Sequence, residues 1–263
     1  MGSDVEIRRP WDIQKAVITA LFLREMKTRF GVYNLGYFWA ILEPAAVIIV
    51  FWAMFGLRMR KHLPGIDYPM FLMTGMVSWR LFASLVSRSL PAMKSNQGLF
   101  IYRQVKPIDS LISRMLVECL VYFFVFISFV AAGYFLGYDI RVANIPALIA
   151  SFAGVILFGF FVGLGGSLAS YYSDTIPRVI NLCMRPMFYS SGIFFVVATV
   201  PDKFRWMLLL NPMLQWNELV RASYFATYSA DLVNPLYIGA WLLGSSYASL
   251  WFYMKLKEKI IAS

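Results

Sequence analysis

Long apolar runs alternate with short polar links along the whole chain. Six runs, at residues 37–57, 69–89, 113–136, 145–170, 176–198 and 235–254, are each long and apolar enough to cross a bilayer as a helix. Such a crossing takes about 20 mostly apolar residues. Residues 10–30, ahead of these runs, follow a different pattern. Ile13, Val17, Ile18, Leu21, Phe22 and Met26 recur at helical spacing, while Arg24, Glu25, Lys27 and Arg29 gather toward the end. This predicts an amphipathic helix lying in the membrane interface. Residues 199–234, between the fifth and sixth runs, carry Pro201, Trp206, Pro212, Trp216 and Tyr224 and are too apolar for a free loop. Irregular backbone at membrane depth is tolerated where protein or a cavity covers it. Short re-entrant helices are therefore expected there, before the last span. The pattern as a whole predicts one all-α integral membrane domain over residues 1–263, with six transmembrane helices and no space for a separate catalytic domain.

Composition agrees: 60% of residues are hydrophobic and 14% charged, against about 25% charged in ordinary soluble domains. The chain has 24 Lys and Arg against 14 Asp and Glu, a net +10. Basic residues favour cytoplasmic loops. With the runs threaded in order, thirteen fall on the side of the N-terminal segment, the 90–110 loop, Arg178 and the C-terminus, and seven on the other. Both termini are thus expected in the cytoplasm, although the Arg58, Arg60, Lys61 cluster runs against this. The opening MGSDVEIRRPWDIQ has no apolar signal core, so the first span is expected to act as its own membrane signal. Cys119 and Cys183 fall inside runs and read as small apolar residues, not as a disulfide or metal framework.

Charge inside a run is the first place to look for function, because it costs about 3 kcal/mol at a helix centre. Glu43 lies beside Pro44 in the first run, Arg80 in the second and Arg185 beside Pro186 in the fifth. Arg80 and Arg185 have no neighbour in sequence to neutralise them, which points to a polar pathway. Arg88 lies near the end of the second run and can snorkel. Arg114 and Glu118 are four apart on one helix face and are expected to pair. Aromatic residues abound, at 23 Phe, 15 Tyr and 8 Trp. Most suit core or interfacial belts, but some, Trp39 among the candidates, have flat faces suited to sugar rings. Gly159 and Gly163 form a GxxxG pair that suits close helix packing, either within one subunit or between two.

Two motif observations bound the chemistry. No G-x-x-x-x-G-K-[ST] phosphate loop occurs; GLGGS at 163–167 lacks the Lys. Paired carboxylates for ion coupling are also missing from the runs. Active transport would therefore draw on an ATPase in another chain. His62 and Asp67 form an H-x4-D pattern that a membrane acyltransferase would use as general base and orienting acid, a distant alternative.

Three stretches carry a family resemblance. LFLREMKTRFGVYNLGYFWAILEP (21–44) resembles the entry segment of type-2 ABC transporter permeases. SNQGLFIYRQVKPIDSLISR (95–114) looks like the cytoplasmic loop of capsular polysaccharide export permeases, and LNPMLQWNELVRASY (210–224) resembles their segment before the last span. The resemblance implies a half-transporter. A second copy completes the pore, two separate ATPase subunits supply ATP and Mg chemistry, and a periplasmic co-polymerase adaptor and outer-membrane channel continue the route. The chain itself would hold no cofactor and no metal, and would bind no nucleic acid. It would reside in the bacterial inner membrane and export a lipid-linked, acidic polysaccharide. O-antigen or another lipid-linked glycan is the nearest alternative cargo. By the same resemblance Asn96, Gln97, Gly98, Leu99, Phe100, Tyr102 and Arg103 would contact the ATPase. Arg24, Lys27 and Arg29 would lie on the gating interface helix. Trp39, Glu43, Arg80, Arg88, Arg114 and Arg185 are expected to line the substrate pathway; Arg88, Arg114 and Arg185 fall at basic positions expected of the capsule branch, whereas Arg80 departs from that branch and its role rests on its place inside a run alone. Asn211, Pro212, Glu218 and Arg221 would form the outward re-entrant segment.

Overall fold

The structure is a computed structural model that describes residues 9–30, 36–59 and 65–262. His62, Arg60 and Lys61 lie outside the described residues. Those described form helices and connecting segments without strands: α1 (Pro10–Phe30), α2 (Gly36–Met59), α3 (Tyr68–Ser89), α4 (Ala92–Ser95), α5 (Pro107–Phe135), α6 (Ile145–Tyr172), α7 (Thr175–Ser190), α8 (Asp202–Leu209), α9 (Pro212–Tyr224) and α10 (Pro235–Ala262). Single 3-10 turns occupy Gln97–Leu99 and Val197–Thr199.

Local sequence explains several helix starts. Asn144 accepts a 3.0 Å bond from the Ala147 amide to cap α6, and Asn211 accepts one of 3.0 Å from the Met213 amide to cap α9. Pro107 and Pro212 occupy first turns, where their missing N–H costs nothing. The Asp109 carboxylate accepts from the Lys106 amide at 2.9 Å and closes the start of α5.

Among the described helices, α3, α5 and α6 are long and apolar enough to cross a membrane. α2 carries a shorter apolar stretch, Leu42–Phe55. α10 is long, but Gly244, Ser245, Ser246, Ser249 and the lysines near its end dilute its apolar character. The fifth run departs from expectation in extent. Its helix spans 16 residues, about 24 Å at 1.5 Å per residue, and ends at Ser190 rather than 198. Gly192 at φ +68° turns the chain, and the apolar residues beyond it, Ile193, Val196 and Val197, are buried against protein.

The core centres on α3, where Phe71, Leu72, Met76, Val77, Phe82, Leu85 and Val86 are almost wholly enclosed. α2, α5, α6, α7 and α9 pack around it, and α10 lies on the outer side of α6. Glycines set the closest approaches. A Cβ on Gly159 would meet Leu85 at 3.0 Å, and one on Gly163 would meet Ser89 Oγ at 2.8 Å. The GxxxG pair therefore seats α6 on α3 within one subunit. A Cβ on Gly154 would lie 2.1 Å from the Trp216 ring, so that glycine is the socket for α9. α9 is itself nearly enclosed, with Met213, Leu214, Asn217, Val220, Arg221 and Tyr224 inaccessible.

Candidate functional site

Two polar networks occupy opposite ends of the bundle. The first joins α1 to the segment between α3 and α5. α1 lies along α5 with Ile13, Val17, Ile18, Leu21, Phe22 and Met26 turned inward, as the periodicity predicts. Its polar residues then bind across. Gln14 donates to Asp109 at 2.5 Å, Arg24 donates to Asn96, Glu25 pairs with Arg114 at 3.0 Å, and Arg29 pairs with Glu118. Arg114 also donates to the Arg88 carbonyl at 2.6 Å and to Ser95 Oγ at 2.9 Å. Glu118 is buried and also takes Arg88 Nε at 3.0 Å and the Ser84 hydroxyl at 2.5 Å. The expected Arg114–Glu118 pair is thus replaced by interhelical partners, because α1 delivers an acid to Arg114 and an arginine to Glu118. Lys27 is exposed and takes no part in this set.

The loop beyond Ser95 divides into support and surface. Asn96 is buried and donates to the Ala92 carbonyl at 2.9 Å. Phe100 is buried in a small core with Met93, Leu111 and Leu164. These two residues shape the loop, a correction to their expected role as partner contacts. Gly98, Tyr102 and Arg103 are exposed, and Gln97 and Leu99 partly so. Sequence reasoning passed over Ile101, which is 82% exposed beside Tyr102. Its signal was an apolar run, Leu99, Phe100, Ile101 and Tyr102, inside an otherwise polar loop. Nearby, Lys94 reaches Asp174 at 2.6 Å and holds that carboxyl below the usual range.

The pathway candidates fall into two groups. Arg88 and Arg114 belong to the network just described. Arg80, which has no neutralising neighbour in sequence, pairs with Glu43 of α2 at 2.8 Å. The pairing comes from tertiary packing, since the carboxylate lies 37 positions away in sequence and only the α2–α3 contact brings it near. Trp39, one turn before Glu43, is exposed. Arg185 is exposed on α7 along with Arg178, Leu182 and Tyr189. α2 and α7 flank α3, and the free faces of these two helices hold Trp39, Glu43 and Arg185.

The second network fastens α9. Arg221 is fully enclosed. It donates to the carbonyls of Gly192 at 2.7 Å and Ile193 at 3.0 Å, reaches Glu218 at 3.3 Å, and lies 3.6 Å over the Phe71 ring. Gly75 makes room, since a Cβ there would stand 2.6 Å from Arg221 Nη2. The Tyr228 hydroxyl donates to both Glu218 oxygens at 2.8 and 2.9 Å; burial pushes its phenol well up, so it remains protonated. Asn217 donates to the Ser191 carbonyl at 2.8 Å. Asn211 donates to Ser190 Oγ at 2.9 Å and Ser191 Oγ at 3.1 Å. Asn211, Glu218 and Arg221 thus clamp the turn after α7 to α9, and Pro212 starts the helix that carries them. Gly75, Asn217 and Tyr228 belong to the same clamp and were not anticipated. Among the described residues, no three His, Cys, Asp or Glu side chains converge as a metal site requires.

Known proteins resemble this chain along most of its length. The chain is 33% identical over 256 residues to the polysialic acid transport protein KpsM of Escherichia coli, covering 97% of this chain and 99% of that protein. It is 28% identical over 232 residues to the capsule polysaccharide export inner-membrane protein CtrC of Neisseria meningitidis serogroup B, covering 86% and 85%. It is 27% identical over 246 residues to the O-antigen export system permease protein RfbA of Klebsiella pneumoniae, covering 90% of each. Residues 16–225 match the family model of the ABC-2 type transporter, and the chain belongs to that family of transporter membrane subunits.

Proposed function

We propose that this protein is the inner-membrane permease of an ABC exporter that moves a lipid-linked capsular polysaccharide out of the cytoplasm. The observation that carries this reading is likeness along nearly the full length to a polysialic acid transport protein. Polysialic acid is an acidic polymer, and an acidic cargo fits the arginines this chain holds near apolar helices. In this reading α2, α3, α5, α6, α7 and α10 are the six spans, and α8 and α9 are the re-entrant helices on the periplasmic side. Both termini and the 90–110 loop lie in the cytoplasm. Two copies form the passage, and two ATPase subunits bind ATP and Mg and press on the loop through Gln97, Gly98, Leu99, Ile101, Tyr102 and Arg103. α1, with Arg24, Lys27 and Arg29, flanks the cytoplasmic entrance.

The exposed faces of α2 and α7 supply the passage in this scheme. Trp39 offers an aromatic face to sugar rings, and Arg185 offers a cation to carboxylates. Arg80, whose charge Glu43 masks at 2.8 Å, would hold anionic groups only weakly. Weak and repeated binding is what conduction requires. The 199–234 segment would meet the periplasmic adaptor and the outer-membrane channel, with the clamp on α9 keeping its shape.

The test is reconstitution of the permease with its ATPase in liposomes. Lipid-linked capsular polymer should stimulate ATP hydrolysis severalfold, and lipid-linked O-antigen should not. Equal stimulation by both would move the cargo assignment to lipid-linked glycans in general. The absence of stimulation by either would overturn the proposal.

A further inference from the structure

α6 and α10 run side by side, and their contact leaves one side unfilled. An open groove of about 440 Å³ lies there, lined by Phe161, Gly165 and Ala169 of α6 and by Ser245, Ala248 and Phe252 of α10. Glycines elsewhere on α6 are small because a neighbour needs the space, as Gly154 and Gly163 show. Gly165 is different: a Cβ there would meet Ser249 at an ordinary 3.7 Å, so nothing in this chain claims the room. The groove also makes no demand for hydrogen bonds. Ser245 and Ser249 turn their hydroxyls back to the Leu242 and Ser246 carbonyls of their own helix, at 3.1 and 3.2 Å. Such a lining suits an apolar chain and penalises a polar ligand.

Length and charge point to the occupant. From Ser245 to Leu256 the lining covers about 16 Å of α10 at 1.5 Å per residue, the depth of one leaflet in a hydrocarbon core about 30 Å thick. The stripe of Ser245, Ala248, Phe252 and Leu256 continues one turn further to Lys259, and Lys255 flanks it. Both lysines are exposed, and Lys255 Nζ lies 3.7 Å over the Trp251 ring. α6 brings Tyr172, also exposed, to the same end. Aromatic and basic residues together mark the headgroup level. Nearby acids do not cancel this charge: Glu258 falls on the other side of α10 by helical spacing, and Asp174 is held by Lys94 at 2.6 Å. This is the end of α10 that packs Tyr253 and Ile260 into the small core with Phe100 and Leu111.

We propose that this groove, with Lys255 and Lys259, is a binding site for an anionic phospholipid of the cytoplasmic leaflet. One acyl chain lies between α6 and α10, and the two lysines meet the phosphate. Basic pockets between spans on the cytoplasmic side recognise anionic headgroups in this way. No residue of α2 or α7 lines the groove, so it is separate from the faces assigned to the cargo. The occupant is a resident lipid that braces α10 against the core beneath the 95–104 loop. The site rests on the reading above only in that α10 spans the membrane with its lysine end in the cytoplasm.

The test is native mass spectrometry of the purified full-length permease, with phosphatidylglycerol and phosphatidylcholine of identical acyl chains as probes. Phosphatidylglycerol should stay bound under activation that strips phosphatidylcholine. The Lys255→Gln, Lys259→Gln variant should bind phosphatidylglycerol about tenfold more weakly and phosphatidylcholine as before. Ala248→Phe, which fills the groove from its exposed side, should abolish retention with both lysines in place. Lys203→Gln, at an exposed lysine of α8, should change nothing. Equal retention by the parent and the double lysine variant would overturn the headgroup site, and equal retention by the parent and Ala248→Phe would overturn the acyl slot. Both lysines are exposed, so the double variant decides alone if Ala248→Phe does not assemble. Disulfide capture between two Ala248→Cys chains in native membranes, with Cys119 and Cys183 replaced by Ser, would give the groove to a second copy and overturn the lipid. Orientation is read separately with an impermeant maleimide on inside-out vesicles, which should label Lys259→Cys and not Leu236→Cys. The reverse pattern would overturn the orientation in the reading above, whereas lost lipid selectivity with the expected labelling would overturn the site alone.

Discussion

The clamp around Arg221 yields a stability prediction that can be approached from two sides. Arg221→Met retains much of the aliphatic bulk but removes both bonds to the Gly192 and Ile193 carbonyls, the contact with Glu218 and the position over Phe71. Glu218 is then left buried with Tyr228 as its remaining partner from this network. Removing one partner of a buried pair costs about 3–5 kcal/mol. At about 2–4 °C per kcal/mol for a chain of this size, melting should fall by about 6–20 °C. Gly75→Ala attacks the same clamp from α3, since its Cβ would stand 2.6 Å from Arg221 Nη2. Overpacking of this kind costs about 1–3 kcal/mol. In the Arg221→Met background that obstruction is gone, so Gly75→Ala should cost clearly less than it does alone, a coupling that contacting residues show and distant ones do not. The assay is thermal loss of the monodisperse peak of the purified permease in one detergent. A drop of under about 2 °C for Arg221→Met, or the same Gly75→Ala cost in both backgrounds, would refute the clamp.

Other perturbations separate surface from support. Ile101→Asp should weaken ATPase binding in a pull-down by at least tenfold, about 1.4 kcal/mol, while the permease melts as before, because Ile101 is 82% exposed. Phe100→Ala should instead lower melting, by about 3–5 kcal/mol in stability, because that ring fills the small core with Met93 and Leu111. Gly154→Ala places a Cβ 2.1 Å from the Trp216 ring, so it should destabilise by about 1–3 kcal/mol, and Trp216→Leu should relieve much of that cost. Glu43→Gln removes the partner of Arg80 at 2.8 Å and should slow release of an acidic polymer, seen as lower export with tighter polymer retention; unchanged retention would exclude Arg80 from the passage.

Parts of this molecule were legible from hydropathy because period and length suffice to define them. The inward face of α1 and the starts of α3, α6 and α10 follow directly from apolar spacing, Pro and Asn. The fifth run misled on extent because apolarity does not distinguish burial in lipid from burial in protein: Ile193, Val196 and Val197 are hydrophobic on account of the core they enter after the turn at Gly192. Partner choice was less legible still. Spacing of four suggested Arg114 with Glu118, but a neighbour along one helix competes with groups that other helices bring, and Glu25 and Arg29 won. Arg80 showed no neutralising neighbour in sequence for the same reason, since Glu43 comes from another helix. The NP…E..R segment stood out as a pattern, yet its use as an internal clamp depended on Gly75 and on the carbonyls freed after α7, which no local window contains.

The central claim, that this chain exports a capsular polysaccharide, is tested most directly by deleting its gene in the host and locating the polymer. The account predicts a bare cell surface with lipid-linked acidic polysaccharide accumulating in the cytoplasm, reversed by the intact gene. A normally coated surface with no intracellular polymer would contradict it.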